Sequence, residues 1–173
     1  MLVAHQFSRR GGAEEVSRQV RDVLTKASKK LICLETGNTL SSRVIAVLLT
    51  NAVALAGVTI VAMHPHIVRR FIFQTILNLP WVKVIVWAHG IEVWGAHGSH
   101  FCSKLKSVTK IIAVSNYTKN HLSKNFPGVP IEVVWNAIDT TLYSPSKKSF
   151  KRSVFSIITV GRMSVYEQYK GHD

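Results

Sequence analysis

Short apolar runs alternate with helical segments along most of this chain, and that alternation most constrains its fold. The clearest runs cover residues 58–62, 82–87 and 110–114, and they are rich in valine and isoleucine. Between them lie segments such as 13–27, where apolar residues recur at helical spacing. Strands that are apolar on both faces belong to parallel sheets covered on both sides. The sequence therefore predicts an α/β fold, a Rossmann-like doubly wound parallel sheet with right-handed crossovers.

The same criteria place the remaining elements along the chain. Further strands are predicted at residues 2–4, 30–34, 131–135 and 154–160. Further helices are predicted at residues 43–56, 68–78, 99–107 and 116–124.

Residues 44–63 carry no charge and have roughly the length of a membrane span. Gly57 interrupts this segment, and Thr50 and Asn51 dilute its apolar character. After Gly57 the residues become β-branched, as in a strand. The prediction is therefore a buried helix, a glycine C-cap and a buried parallel strand, and not a transmembrane helix.

The charge of the chain bears on its partners. The net charge is +13, and the cations are spread over the whole length. Such an excess of positive charge favours anionic lipid headgroups, phosphorylated substrates or nucleic acid as partners. The alternative is that the charge only keeps the protein in solution. No nucleic-acid-binding signature is present, so specific nucleic-acid recognition is not expected.

Two cysteines, Cys33 and Cys102, lack metal-site spacing and fit a reducing compartment. No signal peptide is visible at the N-terminus. The expected location is the cytoplasm, with peripheral contact at the inner face of a membrane as an extension of it.

Candidate functional residues follow the predicted strands, because ligands bind beyond the carboxyl ends of parallel strands. Gly11 and Gly12 precede the first helix, where glycine lets backbone N–H groups approach an anion; a plain turn is the alternative. His89 follows a buried strand and could exchange hydrogen bonds with a hydroxylated substrate. Glu92, three residues on, could hold that histidine or a substrate hydroxyl. A structural role for His89 is equally compatible with the sequence.

Metal binding is not expected. His64 and His66 flank Pro65 after another strand, but no third ligand is evident. The chain also lacks the D-x-D pattern, and it has neither the dinucleotide fingerprint nor the P-loop motif. Arg162 and Lys170 follow the last predicted strand and could bind phosphate, although such a pair is often a solvated surface.

Taken together, several segments resemble family 4 glycosyltransferases of the GT-B fold. They are RGGAE at 10–14, WAHGIE at 87–92, IAVSN at 112–116, VWNAID at 134–139, TVGR at 159–162 and YKGHD at 169–173. The resemblance covers nearly all of the chain, and the segments occur in the family's order.

The resemblance implies two Rossmann-like domains facing a cleft, with the acceptor held by the first and the nucleotide sugar by the second. It implies retaining chemistry without a bound metal or other cofactor. His89 would contact the transferred sugar or the acceptor at the reaction centre. Arg162 and Lys170 would neutralise the leaving pyrophosphate. Substrate-binding roles would also fall to Gly11, Gly12, Glu92 and Asn136.

Two departures limit the match. Ala137 stands where the family's hinge has glycine, and the family's paired downstream glutamates are absent. The predicted organisation is an acceptor-side domain at 1–145, a linker at 146–152 and the truncated start of a donor-binding domain at 153–173. The isolated chain is expected to be inactive without a C-terminal domain or a partner chain that binds the donor. The alternative function is a non-catalytic binding module, or a half-enzyme that docks to an anionic membrane or a partner chain.

Overall fold

The computed structural model describes residues 1–4, 11–27, 31–35, 39–94, 102–141, 143 and 157. The chain forms two compact units, Met1–Ala137 and Ile138–Asp173. In the second unit, Asp139 closes a turn: its side chain accepts a hydrogen bond from the Thr141 N–H at 2.8 Å. Its carbonyl accepts another from the Tyr143 N–H at 3.0 Å.

A six-stranded sheet organises the first unit, and every neighbouring pair of strands is parallel. The strands are β1 (Leu2–Ala4), β2 (Cys33–Glu35), β3 (Ile60–Ala62), β4 (Val84–Ala88), β5 (Lys110–Ala113) and β6 (Ile131–Val133). Their order in the sheet is β2-β1-β3-β4-β5-β6. The chain therefore reverses its direction of winding between β1 and β3. The predicted α/β class with a parallel sheet is confirmed.

Helices connect these strands. They are α1 (Gly12–Ala27), α2 (Leu40–Leu55), α3 (Gln74–Leu77), α4 (Cys102–Leu105) and α5 (Asn116–Asn125). Two 3-10 helices, Pro65–Arg70 and Ile91–Val93, follow β3 and β4. Side-chain caps define two of the helix starts. The Thr39 hydroxyl accepts from the Ser42 N–H before α2, and the Ser115 hydroxyl accepts from the Thr118 N–H before α5.

The sheet is covered on both faces, as the alternation of its side chains requires. Ile60 and Ala62 of β3 lie in the larger core cluster together with side chains of α2, α4 and α5. Val61, between them, faces the opposite way and packs with Met63, α1 and Trp87. The helix α1 thus covers one face, and the later helices cover the other.

One predicted helix is replaced by two shorter segments. The sequence predicts a helix over 68–78, but the structure has the 3-10 helix Pro65–Arg70 and then α3. The reason lies in Asn51 of α2. Its side chain donates to the Arg70 carbonyl at 2.7 Å and accepts from the Ile72 N–H at 3.2 Å. These bonds replace helical ones, so the chain is extended at Phe71.

The prediction that residues 43–56 form a buried helix is only half right. The helix exists, but Val44, Ile45 and Leu48 are 50%, 55% and 57% exposed. Its buried positions include the polar Thr50 and Asn51. Hydrophobicity alone could not predict which face of so uniformly apolar a helix meets the sheet.

Other predicted boundaries differ from the observed ones or fall outside the described residues. The predicted helix 99–107 is seen as Cys102–Leu105, and the strand predicted at 30–34 is seen as Cys33–Glu35; residues 99–101 and 30 lie outside the described residues. The strand predicted at 154–160 lies outside the described residues except for Ile157. Within the described ranges, no helix combines the length and apolar character needed to cross a membrane.

Candidate functional site

The reversal of strand order between β1 and β3 marks the candidate site. In doubly wound sheets, the loops at such a reversal diverge and leave a crevice at the carboxyl edge. The first turn of α1 follows β1, His64 follows β3, and His89 follows the neighbouring β4. Parallel pairing brings these three loops to the same edge of the sheet.

His89 is half-buried and held from two sides. Its Nε2 lies 2.9 Å from the carbonyl oxygen of Met63, directly after β3. A carbonyl can only accept, so a neutral His89 carries its proton on Nε2 and presents Nδ1 as an acceptor. The fixed ring can therefore receive a hydrogen bond from a hydroxyl group of a ligand.

Glu92 holds the histidine loop through the backbone. Its carboxylate accepts a hydrogen bond from the N–H of His89. The sequence left open whether Glu92 would hold His89 or a substrate hydroxyl. In the structure its carboxylate contacts the backbone of His89. The turn between them depends on Gly90, whose φ of 142° lies in the region that favours glycine. A Cβ at Gly90 would also lie 2.7 Å from the Trp94 ring.

Two further histidines lie beside His89. The His64 and His66 rings stack with centroids 4.5 Å apart, and the His64 and His89 centroids are 6.4 Å apart. The Nδ1 of His64 accepts from the His66 N–H at 3.2 Å, which fixes the start of the 3-10 helix. The sequence identified this pair only as weak metal-ligand candidates. Among the described residues, no group of three or more potential ligands could hold a metal ion.

The two glycines at the start of α1 differ in their surroundings. The Glu14 carboxylate lies over Gly11, close enough to collide with any Cβ there. Among the described residues, no atom outside the helix's own backbone lies within 4 Å of the Cβ position of Gly12, which is exposed. The start of α1 therefore has space beside Gly12, while the Glu14 carboxylate occupies the space beside Gly11.

Asn136 lies in a different part of the carboxyl edge. It follows β6 and lines an apolar groove of about 310 Å³ together with Val16 and Val20 of α1, Trp87 and Trp135. The indole N–H of Trp87 is buried and has no hydrogen-bond partner among the described residues. The groove thus combines an apolar wall with the Asn136 amide.

The sequence missed an aromatic cluster next to the histidine loop. The rings of Trp94 and Tyr117 meet edge to face with centroids 5.1 Å apart, and His121 stacks on Tyr117 at 6.4 Å. Tyr117 is exposed at the start of α5. The only sequence signal for this cluster was the position of Tyr117, two residues after the Ser115 cap at the carboxyl end of β5.

The predicted site residues therefore have different outcomes. His89 and Glu92 are brought into contact, Gly12 begins α1 directly after Gly11, and Asn136 lines the groove. Arg162 and Lys170 lie outside the described residues. No family model, no curated protein and no solved structure matches this chain.

Proposed function

We propose that this chain forms the acceptor-side part of a retaining glycosyltransferase, which moves a sugar from a nucleotide-sugar donor to an acceptor hydroxyl. The observation that carries the proposal is the fixed orientation of His89. Its Nε2 is engaged by the Met63 carbonyl, which leaves Nδ1 to accept a hydrogen bond from a substrate hydroxyl. His89 follows β4 and bonds the residue directly after β3, beside the reversal of the strand order where doubly wound sheets bind ligands.

The remaining residues take supporting roles in this proposal. In this proposal Gly12 lets the first turn of α1 approach the donor phosphates, since no described side chain lies at its Cβ position. Glu92 positions the His89 backbone. Arg162 and Lys170 neutralise the pyrophosphate as it leaves. No cofactor is required, and the nucleotide sugar is a substrate.

The test is sugar transfer by this chain joined to a donor-binding C-terminal domain of the GT-B type. A panel of nucleotide sugars and hydroxylated acceptors should show transfer with retention at the anomeric carbon. His89→Ala should lower kcat about 100-fold or more, because it removes a group that contacts the reacting sugar. Asn120→Ala, at an exposed position of α5, is the control and should leave kcat nearly unchanged.

Absence of both transfer and donor hydrolysis across the panel would refute the proposal. Equal loss of activity in the His89 and Asn120 variants would refute the role of His89. The 173-residue chain alone is expected to transfer no sugar, and steady turnover by it would contradict the requirement for a separate donor-binding domain.

A further inference from the structure

A groove lies between α1 and the segment that follows β6. Its volume is about 310 Å³, within the range of small-molecule sites in proteins. We call it the α1 groove. The residues that define it are Val16, Val20, Val23 and Leu24 of α1, together with Trp87 of β4 and Trp135.

The described lining of the α1 groove is apolar and carries no charge. Its polar groups are the amides of Gln19 and Asn136 and the indole N–H of Trp87. Val23 and Trp135 are each 63% exposed, so large apolar side chains border the opening. Burial of these side chains by a hydrocarbon would be favourable, whereas a charged ligand would lose its hydration there without gaining a counter-charge.

The shape of the wall favours a linear hydrocarbon. The α1 residues of the groove recur every three or four positions from Val16 to Leu24, which places them in one stripe about 12 Å long. An apolar cavity of about 150 Å³ is already large enough for benzene. By contrast, a stretch of α-helix about 12 Å long and about 10 Å wide would occupy about three times the 310 Å³ of the groove. The volume therefore fits an alkyl chain and not a helix of a partner protein.

The α1 groove is continuous with the candidate site through Met63. The Met63 side chain packs with Val16, Val20 and Trp87. Its carbonyl oxygen lies 2.9 Å from Nε2 of His89. A molecule that reached from the groove to His89 would therefore place a hydrocarbon part against α1 and a hydroxyl group at the histidine.

The Trp87 indole favours a ligand that contains oxygen as well as hydrocarbon. Its N–H is buried and has no hydrogen-bond partner among the described residues. A buried donor that lacks an acceptor destabilises the structure. The oxygen that joins a hydrocarbon chain to a polar head would supply such an acceptor, which a pure hydrocarbon could not.

We infer that the α1 groove binds the alkyl chain of an amphiphilic molecule, and that the hydroxylated head of this molecule lies at His89 as the sugar acceptor. Binding of the chain follows from the groove alone. The acceptor role rests on the proposed sugar transfer, so the two parts are tested separately.

The first test is binding of octyl glucoside to the 173-residue chain, at concentrations below those that form micelles. Calorimetric titration should show saturable binding at one site. Affinity should fall about twofold for each methylene removed, half of the effect of full burial, because the rim at Val23 and Trp135 is open to solvent. Methyl glucoside, which has the same head and no chain, should bind about 100-fold more weakly.

Two pairs of variants locate the bound chain. Val23→Gln should weaken binding of octyl glucoside about fivefold, since it replaces an apolar side chain of the wall. Val44→Gln, at a 50% exposed position of α2, is the matched control and should have no effect. Trp135→Ala should weaken binding about tenfold, because an indole offers a large contact area. Trp81→Ala, at a 51% exposed position outside the groove, is its control. All four side chains are exposed, so circular dichroism should show nearly unchanged melting.

The second test uses the chain joined to a donor-binding domain, as in the transfer assay. The kcat/KM should be about 100-fold higher for octyl glucoside than for methyl glucoside as acceptor. Val23→Gln should lower kcat/KM for octyl glucoside and leave it unchanged for methyl glucoside. Equal values for the two acceptors would refute the amphiphilic acceptor and leave the proposed sugar transfer intact. Binding without transfer to any acceptor would refute the proposed function and the acceptor role, and leave the groove as an alkyl-chain site.

Three binding results would overturn the inference. The first is equal affinity for octyl glucoside and methyl glucoside. The second is equal loss of binding in the Val23 and Val44 variants. The third is self-association of the chain that Trp135→Ala abolishes, without binding of octyl glucoside, which would assign the α1 groove to a second copy.

Discussion

At the scale of single residues, Gly90 and His89 show how backbone geometry positions a functional side chain. Gly90 turns the chain at φ 142°, and this turn lets the Glu92 carboxylate reach the His89 N–H. The Trp94 ring packs against the space where a Cβ would lie. The orientation of the histidine therefore depends on a residue that contributes no side chain.

Gly90→Ala should destabilise the protein by about 1–3 kcal/mol, because an L-residue is strained at this φ and its Cβ would collide with Trp94. Gly12→Ala is the matched control, since the Cβ position of Gly12 is open. It should be neutral or slightly stabilising at the start of a helix. Urea unfolding of both variants measures the difference. A Gly90 variant as stable as the Gly12 variant would contradict this account of the turn.

At the scale of elements, Asn51 ties α2 to the segment that follows β3. One side-chain amide satisfies two backbone groups in the extended chain after the 3-10 helix. It also donates to the Val47 carbonyl of its own helix at 2.7 Å. A polar residue on the inner face of an apolar helix thereby decides the path of the neighbouring loop.

Asn51→Ala should lower the free energy of unfolding by about 1–3 kcal/mol, because it leaves the Arg70 carbonyl and the Ile72 N–H without their partner. Asn120→Ala, at an exposed position of α5, should be neutral or slightly stabilising, since alanine favours the helix. Chemical denaturation of both variants gives the comparison. Similar stabilities for the two variants would show that the loop finds other partners.

The pairing of β5 with β6 has a pH-dependent component. Lys110 and Glu132 are 2.8 Å apart across the two strands, and the hydrogen bond from Lys110 lowers the pKa of Glu132 below its usual 4.5. A carboxyl group with a lowered pKa stabilises the fold fully above its unfolded pKa. That contribution is lost as pH falls through the folded pKa.

Glu132→Gln should therefore be less stable than the unmodified protein at neutral pH, and the difference should disappear as the pH falls below 4.5. High salt should reduce the difference at neutral pH, because the pair is exposed. Thermal melting at several pH values measures it. If the stability difference between Glu132→Gln and the unmodified protein stayed constant across the acid range, the Lys110–Glu132 pair would not be its source.

At the scale of the whole molecule, two helices that cover the same face of the sheet differ in how far their leucine side chains are exposed. Leu122 of α5 is fully buried in the main core cluster. Leu48 of α2, on a helix packed against the same face, is 57% exposed. Equivalent side chains thus have opposite environments on two helices of one layer.

The same substitution should therefore have very different costs at these two positions. Leu122→Ala should destabilise the protein by about 2–5 kcal/mol, through lost burial and a cavity. Leu48→Ala should change stability by no more than about 0.5 kcal/mol. Calorimetry on both variants without lipid measures the costs. An equal cost would mean that the outer face of α2 is buried in solution.

The alternation of apolar and helical segments by itself determined the α/β class and the parallel sheet, because periodicity reports which faces of an element are buried. It also located the candidate loops, since they must follow strands. It could not determine the strand order, the side of α2 that meets the sheet, or the break in the segment 68–78. Those depend on contacts between residues far apart in sequence, such as Asn51 with Ile72 and His89 with Met63. Only the tertiary structure brings such partners within bonding distance.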